Sequence, residues 1–174
     1  LHTLEDEACF ALLEEVNVAE LLELEEVIPQ RFIDYAKKQL DEAQIKQYEL
    51  AQQYSQDKLG HWLGFDFLKV SEKLTIAGAK KLLLKGLPQF TEVIYLVTRQ
   101  GRLMGEVAVN DLLKADEQDS LLTLANHDIM SLSAEDDLYE AAEVVIHSGN
   151  MATPIVNADN RLIGRLTVAV AYEL

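Results

Sequence analysis

Apolar residues in the first third of the chain recur at helical spacing. Leu12, Leu13 and Val16, then Ala19 and Leu22, mark one side of short helices, and residues 1 to about 58 predict helices only. This stretch holds no glycine and a single proline, Pro29. Asn17 followed by Glu20 spells a capping box, so one helix ends near Val16 and another starts there. Pro29 suits the first turn of a third helix, where its missing N–H is not needed; that helix carries Phe32, Ile33, Tyr35, Ala36 and Leu40. Asp41 with Gln44 is a second box, leading into Ile45, Tyr48, Leu50 and Ala51. Short helices joined by tight turns predict a bundle or a piece of a helical solenoid.

Gly60 ends this zone and the period changes. Phe65, Phe67 and Leu68 form a short extended run, and Thr75–Leu84 an amphipathic helix with Ile76, Ala79 and Leu83 on one side. Gly86 suits the residue after that helix, with Pro88 blocking continuation. Two strands follow, Val93–Val97 and Leu103–Val107, turning through Arg99-Gln100-Gly101, and then a helix from about Asn110 to Ala115. The order then repeats: Ile129–Leu132 extended, Asp136–Ser148 helical, a strand at Ile155–Val156, a turn at Asp159-Asn160, a strand at Leu162–Leu166, and a helix starting near Val168. The letters repeat too. Gly101-Arg102-Leu103-Met104-Gly105-Glu106-Val107 returns as Asn160-Arg161-Leu162-Ile163-Gly164-Arg165-Leu166, 59 positions on, and Val70–Ala79 aligns with Leu132–Ala141, 62 positions on. The first copy is therefore three residues longer between its helix and its strands. Each copy reads β-α-β-β-α, too small to stand alone, so two should pack face to face. The expected class is α+β, with residues 1–60 a helical segment, 61–116 the first repeat and 117–174 the second.

Composition narrows the function. Of 174 residues, 49% are apolar, ordinary for a folded protein, but the formal charge is −15. That charge repels nucleic-acid phosphates and anionic lipid, and favours cations or a basic partner. One cysteine, Cys9, allows neither an internal disulfide nor a cysteine metal cluster. No apolar run reaches 18 residues, so no helix here is expected to span a bilayer. The chain starts at Leu1 and stops within an apparent helix, Val168–Leu174, and reads as an excised piece of something longer.

A tandem β-α-β-β-α whose last strand enters its helix through Gly105-Glu106-Val107-Ala108-Val109-Asn110-Asp111 resembles the CBS domain pair. With an acidic all-helical segment directly before it, the chain is similar to the cytosolic part of MgtE-type magnesium transporters. Two further stretches carry the resemblance: the join through Gly60, where His61, Trp62 and Leu63 replace the family's Arg, Leu and Met, and Glu92–Val97 with Gly101–Gly105. The likeness covers about residues 29 to 170. It implies a regulatory domain, not an enzyme, beneath a membrane domain absent from this chain. Magnesium would bind between the helical and CBS domains and hold the gate shut; at low magnesium, repelling carboxylates would open it. It also implies a homodimer through the CBS pairs, and ATP or AMP as a further ligand.

The acids fit a hard cation. Residues 1–28 hold nine carboxylates, including Glu23 and Glu26, and no Lys or Arg. Oxygen-only ligands suit Mg²⁺, and two carboxylates 4 Å apart repel by about 4 kcal/mol near a protein surface. A solvated acidic helix face explains the same pattern. The resemblance puts a metal-facing acidic group near Glu135-Asp136-Asp137; equally, acids there cap a helix and complement its dipole. The family's Asp-Asp pair after the last strand is missing, since Thr167-Val168-Ala169-Val170 stands in its place. The family's nucleotide motif, Gly-x-x-Ser/Thr-x-x-Asp, is split. The first copy keeps Asp111 without the hydroxyl, and the second keeps Thr167 without the acid. Asp111 reads equally as a ribose ligand or as a simple helix N-terminal acid. The four histidines, His2, His61, His127 and His147, have no metal-ligand spacing, and no glycine-rich phosphate loop follows a strand. The expected function is the magnesium-sensing regulatory part of a divalent-cation transporter. The rivals are a stand-alone CBS adenine-nucleotide sensor with a helical docking module, and a CBS accessory module of an enzyme.

Overall fold

The structure is a computed structural model and describes residues 4–174. The chain divides after Gln53 into two compact units.

The first unit holds α1 (Leu4–Leu13), α2 (Val18–Leu24), α3 (Gln30–Gln39) and α4 (Glu42–Gln52). Both capping boxes form: Asn17 and Asp41 each accept from the backbone N–H three residues on, while Glu20 and Gln44 reach back to the cap N–H. Pro29 is the N-cap of α3 rather than a residue of its first turn. Leu13, Leu22, Ile33, Ala36, Tyr48 and Ala51 of the faces read from the periodicity turn inward, whereas Leu12 and Ala19 are exposed and Leu21, outside that reading, is fully buried. Phe10 leans on Phe32 and Tyr35, with ring centroids 5.1 and 4.6 Å apart.

The second unit runs from Tyr54 and contains both repeats. The first consists of β1 (Lys69–Ser71), α5 (Ile76–Leu84), β2 (Val93–Val97), β3 (Leu103–Ala108) and α6 (Val109–Lys114). After α7 (Leu121–Leu124) come β4 (Leu132–Ser133), α8 (Leu138–His147), β5 (Ala152–Val156), β6 (Leu162–Thr167) and α9 (Val168–Ala171). Each repeat makes a three-stranded sheet with its second strand central, parallel to the first and antiparallel to the third. The β-bulges fall at equivalent places, Leu96/Val97 and Ile155/Val156. The first strands lie slightly later than the apolar runs at Phe65–Leu68 and Ile129–Leu132 suggest. Helix α8 starts at Leu138, so Asp136 and Asp137 precede it. Gly86 is the left-handed residue after α5, with φ 116°. Gly101 and Asn160, equivalent in the two hairpins, both have positive φ, 82° and 61°. Asparagine replaces glycine there because, among ordinary residues, it tolerates that region best.

The repeat begins earlier than its letters show. The 3₁₀ turn Leu59–Trp62 and helix α7 are related by the same 62 positions as β1 and β4. Leu59 N–H donates to Asp136 O and Gly60 N–H to Ala134 O, which ties this turn to the second repeat. For this reason the division falls after Gln53 and not at Gly60. Leu121 of α7 is in turn buried in the core of the first repeat, beside Ile76, Leu96 and Leu112. Each leading turn thus reaches across to the other repeat.

Four backbone bridges between the repeats exchange in pairs under this symmetry: Lys58 with Asp137 and Thr75 with Ser120, Gly64 with Arg165 and Glu106 with Asn126. A fifth, Arg102 with Arg161, lies on the pseudo-twofold axis. There Leu103 N–H donates to Asn160 O and Leu162 N–H to Gly101 O, both at 3.0 Å. Tyr95, Val97, Leu103, Val156 and Leu162 form an apolar cluster between the sheets.

Two consequences can be measured. A Cβ on Gly164 would lie 2.9 Å from Leu63 Cβ and 3.1 Å from Gly64 O, against backbone held by two 2.9 Å hydrogen bonds to Arg165. Gly164→Ala should cost about 1–3 kcal/mol in urea unfolding, as overpacking does. Thr153, 1% exposed, occupies the place that Ile94 takes in the first repeat, and its hydroxyl has no partner. Thr153→Val keeps the shape and removes an unsatisfied polar atom, so it should stabilise by about 1 kcal/mol in the same assay.

Candidate functional site

The residues singled out by motif or charge are scattered. Asp111 lies in the exposed first turn of α6, whose N-cap position, Ala108, offers no side-chain acceptor. Thr167 caps α9, its hydroxyl accepting from Val170 N–H at 3.2 Å. They stand at equivalent strand exits, one in each repeat. Of the acids before α8, Asp137 Oδ1 accepts from Tyr139 and Glu140 N–H at 3.0 and 3.1 Å, and is the N-cap. Asp136 Oδ2 accepts from Ser133 N–H at 2.9 Å. Both carboxylates therefore have local structural work. Glu135 is exposed, and its charge, after burial, raises the pKa of Tyr54. Glu23 and Glu26 are exposed in the helical unit. Among the described residues, no group of three or more His, Cys, Asp or Glu is arranged to hold a metal ion.

Several acids of the helical unit serve its own fold. Asp6 pairs with Arg31 at 2.9 Å, and Glu14 accepts from Tyr35 at 3.1 Å. Glu25 accepts from the buried Tyr48 hydroxyl at 2.8 Å and from Gln52. Burial, then the hydrogen bond to Glu25 and its charge, push the Tyr48 phenol well above its ordinary range.

A concave feature lies on the pseudo-twofold axis of the second unit. Glu92, Val93, Tyr95 and Glu106 line it from the first repeat; their equivalents Met151, Ala152, Pro154 and Arg165 line it from the second. Arg165 is 5% exposed. Its guanidinium donates to Gln89 O at 2.7 Å, Phe90 O at 3.0 Å and Thr91 Oγ1 at 3.5 Å. Burial draws its pKa down, while Tyr95 and Asp66 oppose this. The Tyr95 phenol is pushed up to about 12 by burial and by the charge of Glu106. Burial, then the charge of Glu92, raises the Glu106 carboxyl above its ordinary value. These cleft charges were not foreseen from sequence. Their signal was there: one charged residue in each of two apolar strands, Leu103–Ala108 and Leu162–Thr167, at the same place in the repeat.

A carboxyl whose folded pKa is raised favours the folded state most when protonated. Its ionisation lowers stability as pH rises through the folded value. Glu106→Gln should therefore stabilise the second unit at pH 7, and the gain over the parent chain should vanish as pH falls below the ordinary glutamate range, as read by unfolding midpoints across pH.

The described helices include none long and apolar enough to cross a membrane. Residues 122–169 match the CBS domain family. Magnesium transporter MgtE of Thermus thermophilus is 25% identical over 131 residues, covering 74% of this chain and 29% of that protein. The chain spans less than a third of the length of the curated relatives it matches. The CBS pair domain of a candidate Mg²⁺ transporter from Shewanella oneidensis is 27% identical, with a TM-score of 0.76 over 92% of this chain and 94% of that one. The cytosolic domain of the Mg²⁺ channel MgtE, solved with ATP, shares the fold at 23% identity and a TM-score of 0.82, over 95% of this chain and 68% of that one. A CBS protein solved with AMP superposes at a TM-score of 0.55 and 19% identity, over 67% of this chain and 93% of its own. In sequence and fold together, this chain, a helical unit followed by a CBS pair, is similar to the cytosolic segments of MgtE-type magnesium transporters.

Proposed function

We propose that this chain is the cytosolic regulatory part of a magnesium transporter, acting by sensing and not by turnover, with its membrane domain outside the sequence in hand. One observation carries the reading: the extent of the likeness. A CBS protein of another kind covers 67% of the chain, about the share of the second unit. The magnesium-transporter relative from Shewanella oneidensis covers 92%, which takes in the helical unit as well. A module built only to bind nucleotide has no need of the acidic helices.

Mg²⁺ is the ligand this charge distribution favours. Carboxylates of both units repel at low magnesium, and a divalent ion lowers that repulsion, so the ion biases a two-state equilibrium. The candidate carboxylates are Glu135, Asp136 and Asp137 in the second unit, and Glu23 and Glu26 in the first. The helices of the second repeat leave Tyr139, Val144, Val170 and Tyr172 between 40% and 70% exposed. That apolar surface supports pairing with a second copy through the CBS units. The axial cleft favours an additional reading: an adenine nucleotide or nucleoside bound between the repeats, as the ligands of related CBS structures suggest.

The test is small-angle scattering with limited proteolysis in millimolar Mg²⁺, against NaCl at equal ionic strength. The parent chain should lose radius and gain protease resistance in Mg²⁺ only. A variant with Glu135→Gln, Asp136→Asn, Asp137→Asn, Glu23→Gln and Glu26→Gln should respond to neither salt. Asparagine at 137 keeps the helix cap while removing its charge. An equal response to NaCl would reduce the effect to screening and end the magnesium reading.

A further inference from the structure

The axial cleft is asymmetric where the repeat symmetry would make it even. Both long helices end in a left-handed glycine, Gly86 and Gly149, but the first repeat then runs through Leu87-Pro88-Gln89-Phe90-Thr91-Glu92 to β2, where the second has only Asn150-Met151 before β5. This longer connection forms a strap at the cleft. The buried guanidinium of Arg165 holds the carbonyls of Gln89 and Phe90, and Phe90 has φ 56°, a backbone region that an aromatic residue enters only when held there. Phe90 lines the cleft and stays 48% exposed.

The strap changes what the cleft can bind. Arg165 is the cationic side chain lining it, yet three hydrogen bonds tie its guanidinium to the strap and the residue is 5% exposed. The charges left facing the open space are two carboxylates, Glu92, which is exposed, and Glu106, half-buried. Burial, and then the charge of Glu92, raises the Glu106 carboxyl. A phosphate ester entering here meets like charge, and the one cation among the residues lining the cleft is buried under the strap. A planar base meets Phe90 and Tyr95 as aromatic surface, with Met130 and Met151 as soft apolar walls.

Resting on the reading of this cleft as a site for adenine ligands, we propose that it selects nucleosides over nucleotides. Glu92 and Glu106 exclude phosphate and admit an uncharged or cationic nucleoside, whose base lies against the Phe90 strap. In this scheme Glu92 and Glu106 determine specificity, and Arg165 is a positioning residue that acts through Phe90.

Isothermal titration of the whole chain at pH 7, free of Mg²⁺ and at fixed ionic strength, tests this with adenosine, S-adenosylmethionine as a sulfonium nucleoside, AMP and ATP. Adenosine and S-adenosylmethionine should bind on the order of tenfold tighter than ATP. Glu92→Gln with Glu106→Gln should raise ATP affinity by a similar factor and leave adenosine nearly unchanged. ATP binding as tightly as adenosine, or a preference untouched by the two substitutions, would overturn the selectivity while leaving the cleft a nucleotide site. Binding of none of the four to either protein would remove the cleft reading itself, and this proposal with it.

Discussion

The second unit depends on two places where backbone crosses backbone without room for a side chain. Gly105 lies against Asn126 O, where a Cβ would approach to 3.0 Å, and Gly164 lies against Leu63 and Gly64. At each crossing a pair of reciprocal backbone hydrogen bonds, 2.8 to 3.0 Å long, stitches the lead-in of one repeat to the third strand of the other. The glycine is needed for the approach and the approach for the hydrogen bonds. A single β-α-β-β-α unit has one face of its sheet uncovered. These crossings hold the two sheets close enough to bury Tyr95, Val97, Leu103, Val156 and Leu162 between them. Leu121, fully buried in the core of the repeat before its own, makes the exchange mutual, and its burial is worth about 1.5–3 kcal/mol.

The same symmetry creates the cleft. The strand positions next to the two crossing glycines, 106 and 165, are equivalent and line the space on the axis. In this chain they carry opposite charges, Glu106 and Arg165, with different fates. Arg165 is covered by the strap that only the first repeat possesses, while Glu106 stays beside Glu92. A duplicated scaffold thus supplies a two-sided site, and the longer helix-to-strand connection of the first repeat makes the sides unlike. The electrostatics of the cleft follow from that connection as much as from the residues lining it.

Much of this was legible in the sequence. The 59- and 62-residue offsets identified the duplication, the strand order and the extra length in the first copy. The two capping boxes located α2 and α4, because a cap is a local hydrogen-bond pattern with a fixed spacing. What stayed hidden was non-local. Leu59-Gly60-His61-Trp62 and Leu121-Leu122-Thr123-Leu124 share one letter, so nothing in them announced equivalent turns that pack on the opposite repeat. The start of α8 was placed one or two residues early because Asp136 and Asp137 read as helix residues until Asp137 is seen as its cap. Arg165 and Glu106 went unremarked because a lone charge in an apolar strand acquires meaning only once its neighbours across the axis are known. The split nucleotide motif was readable, yet that the residues lining the cleft do not include Asp111 and Thr167 was not.

The excess of negative charge is distributed less evenly than composition implies. Folding has already committed Asp6, Glu14, Glu20 and Glu25 to partners within the helical unit, and Asp136 and Asp137 to the backbone ahead of α8. A carboxylate that caps a helix or accepts from a buried phenol keeps its charge but not its freedom to move toward an ion. Glu23, Glu26 and Glu135 retain both. A strongly hydrated divalent cation keeps much of its water and needs only one or two carboxylates close by. It can therefore respond to the field of the committed acids while touching only the uncommitted ones.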